Sequence, residues 1–240
     1  DLLDVVPHGV PQLPLVAPDS VKPRLGMETA PMILSFGLIG PGKGFESVIE
    51  AMPAVVKTCP DAYYVILGAT HPELLRNEGE AYRSKLTLLA QELGVANHVI
   101  FVDRFVTRAE LGTWLTAADI FVTPYPNMDQ IVSGTLAYAM SAGKACVSTR
   151  YAYAVEMLEA GRGRLVESIS SGALAESLSE LIRDANLRNQ FGRRAYDFSR
   201  TMIWPEVGGR YRDIFDRVAG RAAVPVGVIR EEVGAGLVGS

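Results

Sequence analysis

The chain has 240 residues and a formal net charge of −4, with 48% hydrophobic and 21% charged residues. These proportions are ordinary for a soluble globular protein, and the acidic balance argues against a general binder of nucleic acids or anionic membranes. No apolar run reaches transmembrane length and no signal peptide opens the chain, so we expect a cytoplasmic protein without an integral membrane segment.

Cys59 and Cys146 cannot form a disulfide framework and are expected to be buried free thiols. No His/Cys cluster has metal-ligand spacing, so no metal site is predicted.

Residues 1–30 differ from the rest and are predicted to be an interdomain strand and linker. The apolar residues within 2–6 suggest a strand, residues 7–11 suggest a turn, and a Pro-rich linker follows. A strand without an earlier partner suggests that something upstream is absent. The main domain is predicted at residues 31–218, and a tail rich in Gly and Val at 219–240.

From residue 31 onward, strands alternate with helices. Short apolar runs bounded by turn signals are typical of buried parallel strands, and apolar residues at intervals of three and four predict helices. The predicted strands are 32–36, 63–67, 99–102, 120–123, 145–148 and 165–166. The predicted helices, besides a short central one, are 45–57, 71–94, 107–117, 155–159, 171–184, 186–199 and 205–219. This alternation predicts an α/β fold, a Rossmann-like doubly wound parallel six-stranded sheet with its ligand site at the carboxyl ends of the strands.

The loop at residues 37–44 follows the first predicted strand and opens a helix. Its glycines, Gly40 and Gly42 among them, let the backbone approach a ligand closely, and Lys43 offers a compact positive charge to a phosphate. The Walker spacing and the Gly-x-Gly-x-x-Gly order are both absent. Taken alone, the loop also fits a flexible turn with one solvated lysine.

The central helix lies within residues 129–149, between a polar loop and a buried strand. Ser133 or Gly134 would begin it, where free N–H groups and the positive end of the helix dipole attract an anion. Gly143 suits the left-handed position that ends it. The stretch fits either a phosphate-binding site or an ordinary capped core helix. Paired in space with Lys43, it would give two positive elements facing one crevice, as a diphosphate needs.

Other polar residues carry weaker signals. Arg104 follows a strand and is either a ligand contact or a surface arginine. Asp103 and Asp129 are both predicted near the sheet edge, without anything that pairs them as acid and base. The nucleophile-elbow pattern is absent around Ser133, so no hydrolase site is predicted.

A series of short motifs follows the chain in a fixed order. They are Pro7-His8-Gly9-Val10, Phe36-Gly37, Lys43-Gly44, Gly68, the Ala-Asp-Ile-Phe-Val-Thr-Pro run at 118–124, Ala139-Met140, Gly143-Lys144 and Trp204. In this order they resemble the C-terminal, donor-binding domain of retaining glycosyltransferases with the GT-B fold, of the group 1 or family 4 type. The resemblance covers residues 1–218, and the ordered series is far more specific than any one motif.

The resemblance implies a donor-binding site that departs from the family's pattern. In the family, the first loop carries an arginine and a lysine that hold the donor diphosphate; Lys43 stands at the lysine position and Leu38 at the arginine position. A Glu-x7-Glu motif contacts the donor sugar and the ribose, but Gln130 and Tyr138 stand there in this chain. Charged groups contribute about 1.5–3 kcal/mol per hydrogen bond and neutral ones about 1 kcal/mol, so these replacements weaken the usual contacts.

The residues expected to bind the donor combine the resemblance with the loop chemistry. They are Gly40, Gly42, Lys43, Arg104, Phe105, Asp129, Gln130, Ser133, Gly134, Thr135 and Tyr138. Lys43 is expected to hold phosphate and stabilise the leaving group, Gln130 to contact the sugar, and Tyr138 to contact the ribose region. Arg104 and Phe105 are expected near the base.

The implied function is the donor-binding half of a hexosyltransferase. The enzyme would transfer a hexose with retention from a nucleotide sugar, such as a UDP- or GDP-hexose, to a glycan or lipid acceptor. In the family, the acceptor domain lies upstream, so this chain alone is expected to bind donor weakly and transfer nothing. No cofactor or metal is expected, because lysine, arginine and helix N-termini stabilise the leaving diphosphate. Two alternatives stay open: a non-catalytic binding or scaffold domain, and a phosphorylase-like enzyme that uses orthophosphate.

Overall fold

Strands and helices alternate along the chain in the computed structural model, which describes residues 3–27, 29–167 and 170–220. The strands are Met32–Phe36 (β1), Tyr63–Leu67 (β2), Val99–Val102 (β3), Ile120–Thr123 (β4), Ala145–Thr149 (β5) and Gly163–Val166 (β6). The helices are Phe45–Thr58 (α1), Pro72–Glu78 (α2), Ala81–Glu92 (α3), Arg108–Ala117 (α4), Gly134–Ser141 (α5), Ala152–Leu158 (α6), Ser171–Arg183 (α7), Ala185–Ser199 (α8) and Trp204–Val218 (α9). In this part of the chain, no helix is both long and apolar enough to cross a membrane.

All six strands form one parallel sheet in the order β3-β2-β1-β4-β5-β6. The predicted Rossmann-like doubly wound sheet is therefore confirmed. In the middle of the sheet, Leu34 of β1 lies opposite Val65 of β2 and Phe121 of β4. The strand order reverses between β1 and β4, so the connections after these strands leave toward opposite faces and open a crevice at the carboxyl edge.

Both faces of the sheet are buried by helices. Met32 and Leu34 face a core shared with α4, α5 and α6, whereas Ile33 between them faces a core shared with α1, α3 and α7. Side chains alternate between the faces of a strand, so a strand covered on both sides needs apolar residues throughout. This double burial explains why the strands are recognisable as uninterrupted apolar runs.

The predicted helix ends are confirmed at two helices. Thr107 caps α4 with a complete capping box, in which its hydroxyl accepts from the Glu110 N–H and the Glu110 carboxylate accepts from the Thr107 N–H. Ser133 caps α5, because its hydroxyl accepts from the Leu136 N–H. Gly143 follows α5 with φ +68°, the left-handed position expected of it.

The segment before β1 differs from the prediction of a strand, a turn and a linker. Residues 3–9 form no strand and no assigned turn, and Val10 instead makes an isolated parallel bridge to Ile203; residues 1–2 lie outside the described part. The predicted strand is absent because the chain here pairs outside the sheet, through the bridge between Val10 and Ile203. The predicted linker is packed on the domain, since Val21 and Lys22 are both buried.

Two further expectations concern the cysteines and the tail. Cys146 is a buried free thiol as expected, whereas Cys59 is only half-buried because it follows the end of α1. Beyond Gly220, the predicted tail lies outside the described residues.

A buried ion pair closes the amino edge of the sheet beneath β1 and β4. The Lys22 ammonium is 1% exposed and lies 2.7 Å from a carboxylate oxygen of Asp119, which is 10% exposed. The same Asp119 oxygen accepts from the Met32 N–H at 2.8 Å. Lys22 also contacts Asp19 at 2.7 Å, a carboxylate that is 62% exposed. Asp119 therefore joins the two central strands to the segment that precedes them.

Lys144 lies at the same edge and satisfies the end of α4. Its ammonium donates to the carbonyl oxygens of Thr116 at 2.9 Å and Ala118 at 3.1 Å, groups that a helix end leaves without intrahelical partners. Burial lowers the pKa of Lys144 to about 8, and the nearby Asp119 carboxylate opposes this shift.

The depressed pKa of Lys144 predicts a pH-dependent stability. Between about pH 8 and 10 the folded chain has released this proton while the unfolded chain still holds it, so stability rises with pH. We expect wild type to gain about 1 kcal/mol of unfolding free energy relative to Lys144→Met between about pH 7.5 and 9. Urea denaturation of both proteins at several pH values measures the difference. A difference independent of pH would contradict the prediction.

Candidate functional site

A pocket of about 600 Å³ opens at the carboxyl edge of β1, where the strand order reverses toward β4. It is lined by Gly37, Leu38, Gly40, Pro41, Gly42, Lys43, His71, Leu74 and Thr135. We call it the cationic pocket, because it joins the Lys43 loop to the first turn of α5. The structure thus brings together two elements that are far apart in sequence and that the sequence analysis paired.

Lys43 carries the positive charge of the cationic pocket. Its ammonium lies 4.6 Å from the centroid of the Tyr125 ring. Among the described residues, no carboxylate forms a salt bridge with it. A cation held by an aromatic face keeps its full charge, so the ammonium remains available to an anion.

The first turn of α5 reaches the same pocket through Thr135, which Gly134 directly precedes. The N–H groups of Gly134 and Thr135 find no acceptor among the described residues, whereas the Leu136 N–H donates to the Ser133 hydroxyl. The Thr135 hydroxyl lies 2.8 Å from the Tyr125 hydroxyl and 3.1 Å from that of Ser133. Free N–H groups at a helix start, beside a lysine, are suited to bind a phosphate.

Gly44 ends the Lys43 loop in a left-handed conformation with φ +68°, and a Cβ there would overlap the carbonyl oxygen of Pro124. We expect Gly44→Ala to lower the unfolding free energy by about 2–3 kcal/mol, because the backbone would be strained and the two loops forced apart. Urea denaturation tests this. Gly42→Ala is the matched control, since a Cβ there meets no atom within 4 Å. Equal losses for the two variants would contradict the explanation.

Asp129 and Gln130 lie in the loop between β4 and α5, outside the lining of the cationic pocket. Asp129 is exposed, and its N–H donates to the side chain of Asn127. The Gln130 side chain donates to the Val132 carbonyl at 2.9 Å, and its backbone carbonyl accepts from the Tyr153 N–H. In this structure Gln130 therefore stabilises the loop, and its predicted contact with a sugar stays a prediction.

Tyr138 lies one turn further along α5 in an aromatic cluster. Its ring centroid is 6.4 Å from that of Phe36 and 6.0 Å from that of His8. His8 comes from the segment before β1, and its Nε2 would lie 3.0 Å from a Cβ on Gly134. The Trp204 ring lies 6.4 Å from His8 and covers Gly9 so closely that a Cβ on that glycine would overlap the indole.

Arg104 and Phe105 are not brought to the cationic pocket. They follow β3, the edge strand, which β2 separates from β1. The Arg104 guanidinium lies 3.0 Å from the Glu110 carboxylate, and Phe105 is 71% exposed. The hydrogen bond from the Thr107 N–H is the main cause that holds the pKa of Glu110 below its usual value, and the hydrogen bond from Arg104 adds to it. The expected contact of these residues with a base has no support from the pocket lining and stays a prediction.

Sequence reasoning missed three residues of the site. Tyr125 carries no sequence signal, although it contacts both Lys43 and Thr135. His71, the N-cap of α2, and Leu74 within that helix also line the pocket. Within the described residues, no group of three or more His, Cys, Asp or Glu side chains could hold a metal ion.

The protein is a Rossmann-like α/β domain with a pocket at the carboxyl edge of its sheet, where the strand order reverses. The model of the family described as "Glycosyl transferases group 1" matches residues 19–198. The chain therefore belongs to the group 1 glycosyltransferases.

Two curated relatives are similar at the level of sequence. The GDP-mannose-dependent alpha-(1-6)-phosphatidylinositol monomannoside mannosyltransferase of Mycolicibacterium smegmatis is 28% identical over 170 residues, covering 68% of this chain and 42% of the relative. The D-inositol 3-phosphate glycosyltransferase of Corynebacterium glutamicum is 26% identical over 208 residues, covering 83% and 47%. The chain thus spans about half the length of the curated relatives it matches.

Solved structures share the fold. The C-terminal domain of LpcC, a group 1 family glycosyl transferase from Francisella tularensis, superposes with a TM-score of 0.67 at 24% identity, covering 79% of this chain and 94% of that domain. HepE from Anabaena, crystallised with UDP and glucose, superposes with a TM-score of 0.71 at 19% identity, covering 85% and 52%. At these identities the likeness establishes the fold alone.

Proposed function

We propose that this chain is the donor-binding half of a retaining hexosyltransferase whose donor is a nucleotide sugar such as a UDP- or GDP-hexose. The observation that carries the proposal is the Lys43 ammonium, without a salt bridge among the described residues, in one pocket with Thr135. The N–H groups of Thr135 and of the preceding Gly134 have no acceptor in the described part of the chain. Names of relatives support the donor class, since one is a GDP-mannose-dependent mannosyltransferase and another protein of this fold was crystallised with UDP. The acceptor would be a glycan or a lipid. We place the enzyme in the cytoplasm as a prediction.

The proposed chemistry is electrostatic stabilisation of the leaving diphosphate. When the bond between the sugar's anomeric carbon and the diphosphate oxygen breaks, that oxygen gains negative charge. Lys43 and the Gly134 and Thr135 N–H groups would hold this charge without rearrangement, which is the most effective form of such catalysis. Gln130 would contact the sugar and Tyr138 the ribose region. The groups that bind the acceptor belong to a domain upstream, so this chain alone would bind donor and transfer nothing.

The non-catalytic alternative rests on one observation of the pocket. Leu38 lines it at the position where the family carries an arginine, which leaves Lys43 as its only lysine or arginine side chain among the described lining residues. A scaffold domain would retain the fold while losing affinity for a diphosphate. Sugar transfer by a longer protein that contains this chain would exclude this alternative.

Amide chemical shifts test the proposal directly. The protein is titrated separately with UDP, GDP and orthophosphate. We expect UDP and GDP to shift the amide resonances of Gly134 and Thr135. The amides of Ser171 and Ala185 are matched controls, because they also begin helices but lie outside the pocket. Shifts as large and as saturable with orthophosphate as with nucleotides would favour the phosphorylase-like alternative. No shift with any ligand would contradict the proposed site.

A further inference from the structure

Tyr125 contacts both halves of the cationic pocket although no motif marks it. It is 3% exposed, lies two residues after the end of β4 and is flanked by Pro124 and Pro126. Its ring lies under the Lys43 ammonium at 4.6 Å, and its hydroxyl lies 2.8 Å from that of Thr135. One side chain therefore touches a loop after β1 and the first turn of α5.

We propose that Tyr125 is a positioning residue that fixes Lys43 and Thr135 relative to each other and so sets the geometry of diphosphate binding. The inference rests on the proposed function. It adds a residue that acts through two others rather than by touching the donor itself. Its basis is the pair of contacts that Tyr125 makes with Lys43 and Thr135.

The ring is suited to hold Lys43 in readiness for an anion. A carboxylate in the same place would neutralise the ammonium and compete with a phosphate. An aromatic face attracts a cation through its quadrupole and leaves the net charge unchanged. The Tyr125 ring can therefore restrict the lysine to the wall of the pocket while its charge still attracts the ligand.

The hydroxyl is suited to fix the rotamer of Thr135. The Thr135 oxygen is bound between the hydroxyls of Tyr125 and Ser133, at 2.8 Å and 3.1 Å. Two hydrogen bonds from different elements leave the threonine side chain little freedom. This restriction holds the start of α5 beside the Lys43 loop before any ligand arrives, and preorganisation of this kind lowers the cost of binding.

Tyr125 is itself held rigidly. The Tyr151 ring stacks on it with centroids 5.2 Å apart, and the Tyr125 carbonyl accepts from the Thr149 hydroxyl at 2.6 Å. Tyr151 in turn donates its hydroxyl to Thr123 at 3.2 Å. Burial raises the pKa of Tyr151 to about 12, so this support stays protonated at neutral pH. A positioning residue must itself be fixed if it is to restrict the side chains that it contacts.

Calorimetric titration of the protein with UDP and GDP tests the inference. Tyr125→Phe keeps the ring and loses the bond to Thr135, so the affinity should fall about fivefold. Tyr125→Leu loses both contacts, and the affinity should fall about 20-fold. Tyr64→Phe is the matched control, because it removes another buried tyrosine hydroxyl, bonded to Ser35 at 2.9 Å, outside the pocket. The affinity of the Tyr64→Phe variant for UDP and GDP should stay within about twofold of that of the wild type.

A double-mutant cycle separates positioning from a general loss of packing. In a Lys43→Ala background, the effect of Tyr125→Leu should shrink to about fivefold, since only the Thr135 contact remains to be lost. Full additivity, or an equal loss in Tyr64→Phe, would overturn the inference. Tyr125→Phe preserves the ring and keeps the test valid if the leucine variant does not fold. Wild type that binds no diphosphate would overturn the proposed function too, whereas wild-type binding that is insensitive to Tyr125 would overturn this inference alone.

Discussion

Replacing Lys43 by alanine is expected to weaken nucleoside diphosphate binding by about 10- to 100-fold. A hydrogen bond to a charged group contributes about 1.5–3 kcal/mol, and each 1.4 kcal/mol is tenfold in affinity. No other lysine or arginine among the described residues lines the cationic pocket, so no neighbour compensates for the loss. Calorimetry with UDP and GDP measures the effect.

Lys57→Ala is the matched control for Lys43→Ala. Lys57 is an exposed lysine in the last turn of α1, outside the pocket, and its removal changes the net charge equally. The comparison therefore subtracts any long-range effect of charge. We expect the control to keep wild-type affinity within about twofold. Comparable losses in the two variants would mean that the ligand responds to net charge rather than to the pocket.

Replacing Asp119 by alanine is expected to lower the unfolding free energy by about 3–5 kcal/mol, because the buried Lys22 ammonium would keep only the exposed Asp19 carboxylate as an ionic partner. The Lys22 ammonium loses a partner at 2.7 Å, and the Met32 N–H loses its acceptor. The loss approaches the lower end of the unfolding free energies of native proteins, about 5–15 kcal/mol. The variant should also depress the pKa of Lys144 further, since the Asp119 carboxylate raises it in the wild type.

Asp19→Ala supplies the comparison for this prediction. Asp19 lies at the same 2.7 Å from the Lys22 ammonium but is 62% exposed. Water already screens that pair, so we expect a loss of no more than about 1 kcal/mol. Urea denaturation of both variants decides the matter. Similar losses of unfolding free energy in the two variants would contradict the prediction. They would show that the burial of Asp119 does not make its ion pair with Lys22 more important than that of Asp19.

The sheet was predictable from sequence because each strand is buried on both faces. The bounds of β1, β2, β3 and β4 agree with those predicted, since an uninterrupted apolar run between turn residues leaves little choice. Helix α6 begins at Ala152 rather than Val155, because its first turn carries no periodic signal. The strand predicted before β1 is absent at residues 3–9, and Val10 instead pairs with Ile203, a tertiary contact that local pattern cannot reveal.

The candidate site was predictable only as far as topology determines it. Lys43 and Thr135 line one pocket, as topology requires, because the loops after β1 and β4 meet where the strand order reverses. Their binding of a phosphate stays a prediction. Arg104 was placed at the same edge but is two strands away and bound to Glu110. Tyr125 went unnoticed because its importance lies in two side-chain contacts, and such contacts leave no spacing rule in the sequence.

The chain enters the domain directly beside the cationic pocket, because His8 packs on Gly134 and Gly9 lies against Trp204. The entry segment therefore packs on the same end of α5 that lies at the pocket. Linkage makes such coupling reciprocal: a ligand that orders the first turn of α5 restrains the entry segment, and a partner that displaces the segment loosens the ligand by the same factor. The entry segment and the first turn of α5 thereby form one contact, through which each can affect the other.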